Sequence, residues 1–261
     1  MIPVFAPKFC LAGVIAGLFA AGEQGAWYDP SDLSTLFQDS AGTVPVTAVE
    51  QPVGRILDKS GRGNHAFQAT ATSRPVLQQD ASERYYLSFD GVDDFLQTSS
   101  INFTSTDKMT VFAGVRKLSD AAGGIVVELS QISSDNAGTF GLANPVTNAV
   151  GLWFRSRGTI ASTLVQSGID PSPRTDLLTC SGNIGGSSAI LRRNGAVLLS
   201  DTTTSQGTGN YGNYPLYIGR RGGTSLPFNG RIYSLIIRGA QSTAQQIASA
   251  EAWVNTKTGA Y

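Results

Sequence analysis

The side chains that could do chemistry in this 261-residue chain are few, and their spacing limits that chemistry. Hydrolysis of a glycosidic bond with retention needs two carboxylates about 5 Å apart. In glucanases they sit close together on one strand, as Glu-x-Asp-x-Glu. The glutamates here are Glu23, Glu50, Glu83, Glu128 and Glu251, and none has an acidic neighbour two or four positions away on the same strand. Glu128, after Val126 and Val127, reads as a polar position turned outward. The lone histidine, His65, sits in the turn Asn64-His65-Ala66, and no G-x-S-x-G elbow accompanies it. Gly61-Arg62-Gly63 lacks the third glycine and the following helix of a nucleotide fingerprint. These patterns predict a protein that is not an enzyme.

Two constellations point to binding instead. Asp90, Asp93 and Asp94 crowd three carboxylates into five residues, and hard oxygen ligands suit calcium. The competing reading is a turn in which Asp90 caps Asp90-Gly91 while Asp93 and Asp94 accept hydrogen bonds from loop amides, those of residues 58–64 among them. No cofactor other than calcium is implied. A sugar site needs an aromatic face with planar polar groups beside it. Tyr211, Asn213 and Tyr214 in the stretch Asn210-Tyr211-Gly212-Asn213-Tyr214 are the first candidates, and Trp153 beside Arg155 and Arg157 is the second. The loop composition resembles that of antibody paratopes. The alternative is a turn whose tyrosines pack on neighbouring strands.

The elements that must position these residues are strands. Residues 84–87, 95–98, 110–115, 124–129, 152–155, 177–180, 189–193, 216–219 and 230–237 are short β-rich runs separated by Gly/Asn/Asp turn clusters. Residues 231–237 alternate, one side apolar and the other mixed. Asn194-Gly195 between two apolar runs predicts a type I′ hairpin. Near the C-terminus the period changes. Residues 242–258 read as a helix opening on a Ser242/Gln245 capping box, with Ile247, Ala250 and Val254 on one face and Gly259 as the stop. Residues 40–54 read as a flexible stretch, and Trp27 and Trp253 as anchors that staple the ends of the domain to it.

Composition agrees. Charged residues are only 15% of the chain and the hydrophobic fraction is 41%, enough to build a core, and the length fits one large all-β domain or two small ones. Lys+Arg and Asp+Glu balance at 19 each, so no global field draws nucleic acid. Cys10 and Cys180 lack the paired spacing of a zinc site and read as free thiols.

Asp58-Lys59-Ser60-Gly61-Arg62-Gly63-Asn64-His65-Ala66 resembles the D-x-S-G-x-G-N-x-A/G loop of laminin-G-like domains. Leu87-Ser88-Phe89-Asp90-Gly91-Val92-Asp93-Asp94-Phe95-Leu96 resembles their F-D-G-x-D-D segment. Leu216-Tyr217-Ile218-Gly219 and Pro227-Phe228-Asn229-Gly230-Arg231-Ile232 resemble their late strand pair. The resemblance covers roughly residues 55–255. It implies an all-β, antiparallel jelly-roll β-sandwich of the concanavalin A/LamG-like type with a short C-terminal helix, here over residues 26–261 and preceded by the N-terminal apolar helical segment of residues 1–25. Residues 25–32 and 210–221 also resemble LamG-like proteins encoded among tail genes of tailed bacteriophages. That implies a structural virion protein of tail, baseplate or fibre. Its partners would be other virion proteins, copies of itself and a host surface glycan. The alternative is a secreted carbohydrate-binding module of a bacterium.

Residues 9–21 form an apolar run too short to span a bilayer, so no stable membrane insertion is expected. Phe9, Leu11, Gly13, Val14, Ile15, Gly17 and Leu18 read first as a docking or oligomerisation surface, with Gly13 and Gly17 as a small-residue face. An uncleaved signal is the second reading and a membrane anchor the third.

Overall fold

The computed structural model describes residues 11–146, 151–167 and 171–261, without the side chains of Leu11 and Ala12. Its architecture is an antiparallel jelly-roll sandwich, as the resemblance implied. One sheet runs Ala196–Asp201, Ser188–Arg193, Arg174–Asn183, Lys108–Lys117, Asn229–Arg238, Tyr85–Asp90 and Val76–Gln79, with Gly25–Tyr28 also paired to Asn229–Arg238. The facing sheet runs Ala161–Ser167, Gly151–Arg157, Thr139–Ala143, Ile125–Leu129, Leu216–Ile218, Leu96–Thr98, Ala66–Phe67, Arg55–Ile56 and Leu36–Phe37. Alternation along each strand sends one set of side chains inward. Phe89, Phe103, Phe140, Phe154 and Phe228 fill the space between the sheets with Val, Leu and Ile. Cys180 is part of this core, and burial pushes its thiol well above the usual range. Cys10 lies outside the described residues.

The hairpin between Ser188–Arg193 and Ala196–Asp201 turns at Asn194 (φ 51°) and Gly195 (φ 81°), the two left-handed positions that a type I′ turn requires. Within residues 40–54, Val46 and Val53 are buried, and the Asp39 carboxylate accepts from the amides of Thr43 and Val44.

Asp58 explains why the glycine-rich loop after it has one shape. Its buried carboxylate accepts from the amides of Trp27 (2.9 Å), Ser60 (2.8 Å) and Asn64 (3.0 Å) and from the Ser60 hydroxyl. The loop is thereby tied to the first strand. The Asp58 amide donates to Nδ1 of His65 at 2.9 Å, so the lone histidine acts as an acceptor. Burial, helped by Arg55, holds its pKa below the ordinary value.

The C-terminal helix spans Ala244–Thr258 and ends at Gly259 in the left-handed conformation. Its cap lies one residue later than the sequence suggests. Thr243, not Ser242, accepts from the Gln246 amide, and the Gln246 side chain returns to the Thr243 amide. Ser242 is instead buried beside the sheet, its amide donating to Thr110 Oγ1. Ala250, Trp253 and Val254 pack onto Phe112, Leu177 and Ile236 of the outer sheet face. Trp27 and Trp253 meet edge to face at 5.5 Å, as the anchors they were expected to be.

The N-terminal helix, Leu11–Gly17, changes the expectation of a docking surface. Ile15 and Leu18 are fully buried in that same cluster, with Phe19, against the chain's own C-terminal helix. Their apolar surface is consumed within the molecule. Gly13 and Gly17 remain exposed and Val14 half-buried, while Phe9 lies outside the described residues.

Candidate functional site

Of the first sugar candidates, Tyr211 is withdrawn from solvent. Tyr211 is 0% exposed, edge to face with Phe140, and its hydroxyl lies 2.7 Å from Ser156 Oγ. The interior forces this position, because the Tyr211 amide donates to the Thr106 carbonyl and draws the loop between the sheets' ends. Burial also pushes the phenol above its usual range. Of its companions, Asn213 is exposed, and Tyr214 is half-buried with its ring against Gly212 and the core.

Trp153 stands on the outer face of the second sheet but is only 7% exposed. Arg155 (5.1 Å) and Arg221 (6.0 Å) cover its ring, and Ile125, Ala143, Val146 and Leu226 pack around it. Glu128 is not turned to solvent as expected. It is fully buried on this face, where Arg221 Nε donates to Oε2 at 3.0 Å and the Ser133 amide to Oε1 at 2.6 Å. Ser133 belongs to the connection after this strand, which folds back over the carboxylate. Burial lowers the pKa of Arg155, and the nearby Arg221 adds to that. The cluster is built round one buried ion pair, Arg221–Glu128.

The three aspartates do come together, with ligand oxygens within 4.8 Å of one another. That separation suits opposite oxygens around calcium, whose bonds are about 2.3–2.6 Å. The carboxylates also have partners within the chain. Asp90 Oδ1 accepts from the amides of Val92 (2.7 Å) and Asp93 (3.3 Å). Asp94 Oδ2 accepts from the Asp90 amide (3.0 Å), and Asp93 Oδ2 from the Ser73 hydroxyl (2.6 Å). The turn reading is thus seen at Asp90 and Asp94, whereas Asp93 reaches Ser73 and not the 58–64 loop. Burial, with Asp90 and Asp93 nearby, raises the Asp94 pKa to about 7 against the pull of the Asp90 amide.

A site that sequence reasoning missed lies on the outer face of the first sheet, beyond the end of the C-terminal helix. It is an open, polar cleft of about 450 Å³ lined by Gln79, Asp80, Arg84, Tyr86, Arg116 and Arg231, among others. The register builds it. Arg231 pairs directly across from Arg116 on one side and from Ser88 on the other, and Tyr86 pairs with Gln78. The Arg231 guanidinium lies 4.5 Å over the Tyr86 ring, which packs against Tyr233 at 5.2 Å. Three guanidiniums face one carboxylate, Asp80. The available signal was the mixed side of residues 231–237, where Arg231 and Tyr233 stand. What the sequence lacked was the cross-strand partner, Arg116.

No protein-family model matches the chain, and no curated protein matches it in sequence. Solved structures do share its fold. One is a botulinum neurotoxin serotype D ligand binding domain in complex with N-acetylneuraminic acid, with TM-score 0.59 and 12% identity over 93% of this chain and 52% of that one. Another is the binding domain of botulinum neurotoxin DC in complex with SialylT, with TM-score 0.55 and 12% identity over 76% of this chain and 48% of that one. The chain therefore spans about half the length of the structures it matches, and at this identity the likeness is one of fold. What the chain shares with these structures is the β-sandwich fold.

Proposed function

We propose that this chain is a non-enzymatic, glycan-recognising β-sandwich carried on a phage virion as a tail, baseplate or fibre component. The observation that carries glycan recognition is the open polar cleft at Tyr86, Arg116 and Arg231, which sets an aromatic ring beside several planar donors. The shared fold of neurotoxin domains in complex with sialylated ligands supports it. Host surface glycan is then the external partner. The virion assignment rests on the likeness of residues 25–32 and 210–221 to tail-encoded proteins. With Ile15 and Leu18 consumed internally, docking to virion neighbours falls to Gly13, Val14 and Gly17 and to the residues before the helix. Calcium, held by Asp90, Asp93 and Asp94, is an accessory to this reading and not its basis. A secreted carbohydrate-binding module is the second reading, favoured by the signal-like texture of residues 9–21. Among the described residues no helix is long and apolar enough to cross a membrane.

Two measurements test the proposal. The full chain on a glycan array, with and without calcium, should retain at least one surface glycan, and complete silence in both conditions overturns recognition. Antibody raised against the full chain should decorate purified particles by electron microscopy. Particles free of label would move the protein to the secreted reading.

A further inference from the structure

The cleft's charge arrangement says more than that it binds. Arg116 and Arg231 are direct partners on adjacent central strands. Like charges placed opposite one another in a sheet repel and destabilise it. Among the described residues neither arginine makes an ion pair, and Arg116 Nη1 is satisfied only by Thr175 Oγ1 at 3.2 Å. Asp80 does not neutralise them. Its Oδ1 is taken by the amides of Ser82 and Arg84, and its Oδ2 faces the Tyr233 hydroxyl and Arg84. Tyr86, backed by Tyr233, holds the Arg231 guanidinium over its ring at 4.5 Å, so the cation is placed before any ligand arrives.

Resting on the glycan reading above, we infer that this cleft receives an acidic sugar, its carboxylate bridging Arg116 and Arg231. A carboxylate accepts parallel N–H donors from a guanidinium and at the same time relieves the repulsion between the two arginines. A neutral sugar would displace water from both cations and return no charge, so the cleft discriminates by charge. Gln79 and Ser82 stand at the rim for the ring hydroxyls. Two sources share this chemistry, a nonulosonic acid and a hexuronic acid.

The full chain is titrated with 3′-sialyllactose, trigalacturonate, lactose and a glutamate oligopeptide at fixed salt. At least one acidic saccharide should bind about tenfold or more tightly than lactose, the scale of one charged hydrogen bond. Arg116→Gln and Arg231→Gln should each remove that advantage. Ser82→Glu, on an exposed turn that leaves the sheet untouched, should remove it as well and so guards against misfolding of the arginine variants. The stronger acid identifies the source. Equal binding of lactose, equal binding of the oligopeptide, or acid binding unmoved by all three variants overturns the inference while leaving glycan recognition standing. Silence towards every glycan on the array is the separate failure of the proposed function.

Discussion

The outer face of the first sheet has two halves built by the same two strands. In one half Phe112 pairs with Ile236, and in the other Arg116 pairs with Arg231. The apolar pair lies under both helices, where Trp27, Trp253, Ile15 and Leu18 complete a second core. The charged pair lies in the open. Arg231 and Ile236 are five residues apart, so strict alternation would turn one of them inward. A bulge between Ile232 and Ser234 shifts the phase, and both point out. The same irregularity brings Tyr233 beside Tyr86. One face thus serves stability at one end and, under the proposed function, recognition at the other, and the bulge lies between them.

Trp253→Ala tests the covered half most severely. Loss of this buried ring should cost about 3–5 kcal/mol in urea unfolding. A cost below about 1 kcal/mol would show that the helix is a detachable appendage. Next comes Asp94, on the strand-end turn outside both halves. Its folded pKa of about 7 lies above the ordinary carboxylate value of 3.8. Between those values the folded state holds a proton that the unfolded chain has released, so stability should fall as pH rises through that window. Thermal unfolding should drop between pH 5 and pH 8, and Asp94→Asn should flatten the profile. Each kcal/mol corresponds to about 2–4 °C in a chain of this size. If the three aspartates hold calcium, millimolar calcium chloride at pH 8 restores the melting temperature in the native protein but not in Asp94→Asn. Tyr211→Phe removes one buried hydrogen bond, should cost about 1 kcal/mol, and should leave glycan binding unchanged. Arg231→Gln is the smallest in stability, within about 0.5 kcal/mol of native or slightly favourable, because it relieves a like-charge pair. Equal losses of stability in Arg231→Gln and Trp253→Ala would erase the distinction between the two halves.

Much of the scaffold was legible because its signals are local. The Asn194-Gly195 turn needs only two residues able to take positive φ, and the helix stop at Gly259 needs one. The D-x-S-G-x-G-N loop was recognisable because a single carboxylate, Asp58, organises it through neighbours in sequence. The site was legible only in fragments. Tyr211 and Tyr86 have the same side chain and both are buried, yet one is closed in beside Ser156 and the other, 6% exposed, lines a cleft. Composition around Tyr211 looked like a paratope, but exposure depends on which loop is drawn between the sheets. Glu128 misled for the same reason: its alternation was right, and the segment that folds over it was unseen.

The sequence by itself determined nine of the strands and several of their turns, but not strands such as Thr139–Ala143 and Ala161–Ser167. Those it determined follow from side-chain periodicity and backbone preference over a few residues. Tertiary structure alone decided that Ile15 and Leu18 are spent on the chain's own helix. It also decided that Arg116 faces Arg231, although the two stand far apart in the sequence. Strand partners and register come from closing the whole core at once, and no local pattern records which cations that closure will bring side by side.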